Sequence, residues 1–401
     1  MSTLLYQRIR AEYLQIQAQL TAAGRSFRFE HMDASIALYP ETAGFIDWAR
    51  QHFIPGYLTI SHGAGADAVI YTTQSPTLFR LLEECFADWK SQTPSETGYI
   101  RLPLDDQTDM IYEQPSGRHA QGHIYCLLSK SQRRLVFLAA GDPISQHMLT
   151  MRIMRSLFKY LLIERGWIPF HAACCISGDT AMCMTGDKFA GKTSTLINLL
   201  AAGDAQLVSN DKLMLRAADG VLAAGALPHK IGIRVGTFMA DPMLRRWLAE
   251  AADTTYPKPQ LADLDRITAT TTAADLPSRT EKVFLMPYEL AQLFGASVAA
   301  AAQPALVLIP IFTPGIERSE LVPVGADEAA AYLATQYLDL SAQGQEYLQS
   351  WFALDDQQLR DQLWALLAAL VPTIQVFKLY QNQATNRHSI ELIKGLTTVT
   401  R

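Results

Sequence analysis

The sequence predicts an α/β fold: an α/β core with a mixed sheet in the C-terminal part, preceded by an α+β domain. Three observations predict it. An apolar run, a glycine-rich loop and an amphipathic run follow one another over residues 181–203, the order of strand, loop and helix. A further strand-like run, QLVS, follows at once, which is the alternation of an α/β core. Upstream, several short strand-like runs are separated by turn residues, with few helical stretches between them. The chain has 401 residues, 49% hydrophobic and 18% charged, enough apolar side chain for two folded domains.

From the N-terminus, MSTLLYQRIRAEYLQIQAQL places Leu and Tyr on one face of a helix, and a strand-like piece completes residues 1–42. Strands are expected at 57–61 (YLTIS) and 68–73 (AVIYTT). A helix is expected over 76–90, where Leu78, Leu81, Leu82, Cys85, Phe86 and Trp89 share one face. Short strands follow near 98–102, 108–113, 122–128 and 133–140, with Pro115-Ser116-Gly117 as a turn. The pattern changes at Gly141-Asp142-Pro143, which places the domains at 1–140 and 141–401. A helix over 144–165 stops at Gly166, and FHAACCIS and AMCMTG read as strands around the turn Gly178-Asp179. A helix over 192–203 and the strands QLVSND and LMLR come next. Residues 254–280 mix Pro, Thr, Ala and charges and read as a long surface loop with at most one short helix. Strand, helix and strand follow over 281–312, then helices over 326–370, a strand at 373–380 and a helix at 387–396.

With 34 basic and 39 acidic residues the net charge is −5, which argues against nonspecific nucleic-acid binding. No run approaches the roughly 18 apolar residues of a membrane span, and the N-terminus lacks the layout of a secretion signal. The expected setting is therefore the cytoplasm, with no membrane partner. The five cysteines (Cys85, Cys126, Cys174, Cys175, Cys183) are odd in number, lack metal-ligand spacing and read as reduced, buried thiols.

Residues Gly186, Asp187, Lys188, Phe189, Ala190, Gly191, Lys192 and Thr193 match G-x-x-x-x-G-K-[ST], and Ser194 continues the helix behind them. A loop that turns its N–H groups onto phosphate oxygens needs glycine where side chains would collide, and the helix that follows aims its positive end at the same oxygens. Lys192 would bridge the β and γ phosphates, and the Thr193 hydroxyl would ligate Mg²⁺. Asp211, in Ser209-Asn210-Asp211 after the next strand, stands where a metal ligand or base is wanted. His171 lies in the apolar run IPFHAACCI. Lys188, Lys230, Arg234 and Lys282 are candidates for charge on the transferring group, with Arg234 favoured because it ends the alternating run Ile231, Ile233. Asp263, Asp265 and Arg266 are candidate substrate contacts in the long loop.

Taken together, His171-Ala172-Ala173-Cys174, the loop Gly186–Thr193 and Asn210-Asp211 resemble the catalytic domain of the HPr kinase/phosphorylase family, which has a phosphoenolpyruvate carboxykinase-like P-loop fold. The resemblance is specific over about residues 165–216 and extends to about 312 in element order. It implies that Lys192 and the loop amides hold the triphosphate of ATP and that Thr193 and Asp211 hold Mg²⁺. It also implies that His171 acts beside the attacking hydroxyl. Two positions depart from the family's pattern. Asn210 replaces the first acidic residue, and Phe189 stands where glycine is usual, which predicts local strain in the loop.

The first reading is an ATP- and Mg²⁺-dependent kinase acting on a hydroxyl of a peptide, protein or small metabolite, with Lys192, His171, Asp211 and Arg234 as catalytic residues. The alternatives are a carboxykinase-like small-molecule phosphotransferase and a nucleotide-binding regulatory or scaffold protein with lost catalysis. The N-terminal domain is a candidate for substrate recruitment, and homo-oligomerisation is left open.

Overall fold

The computed structural model describes residues 3–42, 44–52, 56–87, 99–113, 124–139, 143–203, 205–251, 259, 261–271, 279–340, 346–382 and 384–399. Trp89, the turn at 115–117 and Gly141-Asp142 lie outside the described residues. The chain divides into two compact units. One comprises Met1–Ile54, Leu58–Arg165 and Gln343–Leu354, the other Pro55–Tyr57, Gly166–Ala342 and Asp355–Arg401.

The first unit runs α1 (Thr3–Ala22), β1 (Phe27–His31), β2 (Ala34–Pro40), α2 (Gly44–His52), β3 (Thr59–His62) and β4 (Ala68–Thr72). It continues with α3 (Pro76–Phe86), β5 (Tyr99–Pro103), β6 (Thr108–Glu113), β7 (Ile124–Ser129), β8 (Arg134–Ala139) and α4 (Pro143–Glu164). Its sheet has the order β3-β1-β2-β4-β8-β7-β6-β5. It is mixed: β2–β4 and β4–β8 are parallel and the other neighbours antiparallel. Ile9, Tyr13 and Ile16 of α1 and Leu78, Leu82 and Phe86 of α3 share a core with Tyr112 and Tyr125 of the sheet. The α3 helix begins at Pro76 because Ser75 accepts the Leu78 N–H at 3.2 Å, a side-chain cap. No sequence pattern marks α2, whose nine residues are too few for a 3.6 period to stand out.

The division between units falls at Arg165–Gly166 rather than near residue 141. The Gly-Asp-Pro signal marks a change of element, but α4 beyond it packs on β2 and β8 and so belongs to the first unit. Gly166, at φ +81°, ends the helix with a conformation open to glycine.

The second unit begins with β9 (Ile168–Ser177), β10 (Thr180–Thr185), α5 (Lys192–Ala201), β11 (Ala205–Ser209), β12 (Lys212–Ala218) and β13 (Val221–Ala226). Next come β14 (Ile231–Arg234), α6 (Val235–Ala240), α7 (Pro242–Glu250), α8 (Leu261–Thr270), β15 (Lys282–Leu285) and α9 (Pro287–Leu293). Then β16 (Ala301–Ala302), β17 (Pro304–Phe312), β18 (Glu320–Pro323) and α10 (Ala326–Ala334) follow, and α11 (Glu346–Phe352) returns to the first unit. The chain closes with α12 (Asp356–Leu370), β19 (Gln375–Gln381) and α13 (Asn386–Val399). The sheet order is β16-β13-β12-β9-β10-β17-β19-β18, with β11 also on β9, and β14 and β15 form a separate ribbon. β10, β17 and β19 are parallel neighbours, whereas β9 and β12 run antiparallel, so this sheet is mixed too.

β9 positions the candidate site residues. Its first half, Ile168–His171, pairs with β12, and its second half, Cys174–Ser177, pairs with β11. The chain passes from one partner to the other through Asn210-Asp211, beside His171. On the opposite edge, β10 ends at Thr185, paired with Ala172. The loop after β10 and the turn after β11 therefore emerge on either side of His171. Leu196, Ile197, Leu199 and Leu200 anchor α5 in a core with Met182, Met184, Leu306 and Leu308. Each such buried leucine contributes about 1.5–3 kcal/mol.

Within residues 254–280, expected as a long loop with at most one short helix, α8 is that helix, ten residues long and held by Leu264 at 4% exposure, while residues 254–258, 260 and 272–278 lie outside the described residues. All five cysteines are free and buried. Among the described residues no helix is long and apolar enough to cross a membrane.

Candidate functional site

The loop between β10 and α5 is shaped by two glycines. Gly186 has φ +151° and Gly191 φ +103°, and a Cβ on Gly191 would stand 2.9 Å from Gln381 Nε2. Gly191 is also the residue that precedes the first helical turn, so α5 has no side-chain cap. The N–H groups of that turn have no partner within the helix and stay available to an anion. Within the loop the Ala190 N–H donates to the Asp187 carbonyl at 3.3 Å, and Asp187, Lys188 and Phe189 are exposed.

Lys192 is folded back under this loop. It is 8% exposed, and its Nζ donates to the carbonyls of Gly186 at 2.5 Å and Asp187 at 3.1 Å. Burial pushes its pKa below the ordinary lysine value; the charges of Asp211 and Asp187 oppose that, and the charge of Arg234 adds to it. Thr193 and Ser194 follow, both half-buried in the first turn, and Ser194 Oγ lies 3.5 Å from Thr237 Oγ1.

His171 and Asp211 meet directly, Nε2 to Oδ1 at 2.9 Å. Burial pushes the Asp211 carboxyl up, but the His171 hydrogen bond and the charges of His171, Lys192 and Lys282 outweigh it and hold the group below the usual aspartate range. The carboxylate is an acceptor only, so His171 carries a proton on Nε2 and donates it. The backbone around His171 is pinned from both sides: its N–H donates to the Gln336 carbonyl at 2.8 Å, and its carbonyl accepts the Thr185 hydroxyl at 2.8 Å.

Asn210, beside Asp211, is 7% exposed, and its Oδ1 has no hydrogen-bond partner. An amide at so buried a place avoids the larger desolvation cost of a carboxylate. With Tyr57, Lys212, His229 and Lys230 it lines a small cleft next to Asp211.

Arg234 and Lys282 are cross-strand partners at the end of the β14–β15 ribbon. The Arg234 guanidinium lies 3.7 Å from the centroid of the Phe189 ring, and its Nη1 is buried without a partner. Burial lowers the Arg234 pKa. Phe189 has φ +71°, the left-handed conformation expected from its place in the loop. The other candidate cations are placed differently: Lys230 lies over the Phe284 ring at 4.0 Å, and Lys188 and Lys282 are exposed. Asp263, Asp265 and Arg266 do not join these contacts. They sit exposed on α8, where Arg266 pairs with Asp263 at 2.7 Å and Arg245 with Asp265 at 3.3 Å.

Two glutamines escaped sequence reading. Gln336 holds the His171 backbone, and Gln381 donates to Thr195 Oγ1 at 2.7 Å while closing the space beside Gly191. Each lies more than a hundred residues from its partner, and no local pattern reports such a contact.

No protein-family model matches the chain, and no curated protein matches it. Among solved structures it is similar to the HPr(Ser) kinase/phosphatase from Coxiella burnetii, with a TM-score of 0.26 and 10% sequence identity, covering 58% of this chain and 97% of that one. This is a distant structural relation. What stands on the geometry is a mixed α/β protein with two mixed sheets, whose second sheet brings a glycine-shaped loop, a buried lysine and a histidine–aspartate pair to one place.

Proposed function

We propose that the chain is an ATP- and Mg²⁺-dependent kinase that transfers the γ-phosphoryl group to a hydroxyl of a peptide, protein or small metabolite. The observation that carries this reading is Lys192. It is a buried cation in a loop held open by glycine, bonded only to backbone carbonyls, with an ionised Asp211 among the charges it feels. A phosphate chain replaces the two carbonyls as partner of the Nζ and takes up the uncapped N–H groups of α5.

The hydroxyl oxygen attacks the γ-phosphorus, the bond to the β-phosphate oxygen breaks, and ADP leaves. Asp211 takes the hydroxyl proton at the carboxylate oxygen that His171 does not occupy, while the His171 N–H fixes the orientation of the carboxylate. A carboxylate of low basicity is adequate, because phosphoryl transfer depends on positioning and charge more than on proton removal. Thr193 and Asp211 would supply hard oxygen ligands of the kind Mg²⁺ takes. The ion would neutralise charge on the phosphates.

A second reading, a nucleotide-binding protein without transfer, is favoured by the buried amide of Asn210 in place of a second carboxylate. Calorimetric titration of ATP with Mg²⁺, in the intact chain and in Lys192→Ala, tests both. The expected result is binding that weakens about 100-fold in the variant, the loss of charge-assisted bonds worth about 1.5–3 kcal/mol each. Radiolabel transfer to peptides or lysate from the same ATP supports the kinase. Binding with no transfer supports the second reading, and no binding to the intact chain overturns both.

A further inference from the structure

Phe189 combines two features that one role explains. Its backbone sits at φ +71°, a conformation that costs a bulky L-residue on the order of 1 kcal/mol or more. Its ring is half exposed, at 50%, so packing in the core does not account for the choice of phenylalanine. What the ring does touch is Arg234, whose guanidinium carbon stands 3.7 Å from the ring centroid.

Arg234 has no carboxylate partner among the described residues, and its Nη1 is buried with no acceptor. A buried donor left unpaired is costly, and its presence points to a partner that arrives from outside. The geometry of the stack suits such a partner. A guanidinium lying against an aromatic ring uses one face for the contact. Its N–H donors lie in its own plane and are not used by the ring contact, and their fork matches an oxyanion. Arg234 also acts electrostatically on Lys192, so the two positive charges converge on the same loop.

We propose that Phe189 is a positioning residue: its ring holds the Arg234 guanidinium flat beside the loop, so that the edge donors of the arginine meet phosphate oxygens of the bound nucleotide. This rests on the nucleotide reading given above. The ring removes side-chain freedom from a long flexible arginine before the ligand arrives, and binding then loses less entropy. The strained backbone at Phe189 is the cost of placing an aromatic face where a glycine would relax the loop.

The test is calorimetric affinity for Mg²⁺·ATP and, separately, for tripolyphosphate. The proteins are the full chain, Phe189→Gly, Phe189→Tyr, Arg234→Gln, the double variant Phe189→Gly/Arg234→Gln, and Lys192→Ala as reference. Glycine is at ease at φ +71°, so Phe189→Gly keeps the loop path and its melting temperature does not fall. Both ligands are nonetheless expected to bind it about twofold to thirtyfold more weakly, the span of a cation–π contact. Phe189→Tyr restores the affinity, and the double variant binds no more weakly than Arg234→Gln alone. The proposal is overturned if Phe189→Gly binds like the full chain, if tyrosine fails to restore, or if the glycine effect persists in full without Arg234. A full chain that binds neither ligand overturns the nucleotide reading itself, and this inference with it. A full chain that depends on Lys192 but not on Phe189 overturns this inference alone.

Discussion

In the first unit, positive side chains are matched to carboxylates: Arg101 at 2.7 Å and Lys130 at 3.1 Å share Asp109, and Arg165 reaches Asp67 at 2.6 Å. Arg133 grips Glu164 through two bonds of 2.7 Å. Around the glycine-shaped loop of the second unit, Lys192 rests on two carbonyls and Arg234 on an aromatic ring, and among the described residues neither has a carboxylate within ion-pair reach. On the function proposed above, the difference separates charges that serve the fold from charges kept for a ligand. A cation closed onto a carboxylate is neutralised and contributes to the fold. A cation held by groups that do not neutralise it keeps its field for a ligand, at a cost in stability.

Paired substitutions break the comparison if it is wrong. Lys192→Met removes a buried charge and keeps the length of the side chain. The fold should be as stable at pH 7 or up to about 1 kcal/mol more stable, while nucleotide binding falls about 100-fold. Arg165→Met should do the reverse, lowering stability by about 1–2 kcal/mol with nucleotide binding unchanged. Scanning calorimetry and ATP titration read both. The pH dependence sharpens the contrast. The Asp67 carboxyl, which burial pushes up but Arg165 and Ser35 pull further down, lies below its ordinary 3.8. Its contribution is present above that value and is lost as pH falls through the folded pKa. Lys192 lies below its ordinary 10.5, so its penalty is full at neutral pH and fades as pH rises through the folded pKa toward 10.5. The two stability differences should vanish at opposite ends of the pH scale. If Lys192→Met destabilises like Arg165→Met, the lysine is structural.

What the sequence made legible was contiguous. The loop 186–193, the strands around it and the Asn210-Asp211 turn are local patterns, because strand, turn and helix signals act over a few residues. His171 and Asp211 could be nominated separately, but their bond depends on β9 changing partners between β11 and β12. Phe189 read as strain and Arg234 as a lone cation, and only the fold brings the two into contact. The contact units divide at Arg165–Gly166 and not at the Gly-Asp-Pro break, because such a break signals the end of an element, whereas the packing of α4 decides which core it joins. The α8 helix is the one short helix the stretch 254–280 allowed, but its place is not legible, because Leu264 and Ile267 are nearly all its buried face in a run of Thr and Ala.

Gly191 and Gly203 extend the comparison to the two ends of α5. Both have positive φ, +103° and +95°, but a Cβ at Gly191 would meet Gln381 Nε2 at 2.9 Å, whereas nothing lies within 4 Å at Gly203. Alanine should cost about 1 kcal/mol at either from backbone strain. Only at Gly191 should it also displace the Gln381–Thr195 bond and weaken nucleotide binding. Equal loss of binding in both variants would mean that the helix as a whole, rather than the shape of its loop, limits affinity.

The smallest effect is expected on α8, where charges are closed onto one another as in the first unit. Arg266 and Asp263 are an exposed pair three residues apart at 2.7 Å. Asp263→Asn should change stability by less than about 0.5 kcal/mol, as measured by urea denaturation, because solvent screens such pairs and both side chains lose freedom in forming them. Nucleotide affinity should be untouched. A rise in the KM for an acceptor with kcat unchanged would move Asp263 out of the structural class and restore the substrate contact that the sequence suggested. A null result in both measurements leaves the unpaired cations of the loop as the charges that distinguish a binding surface from a solvated one.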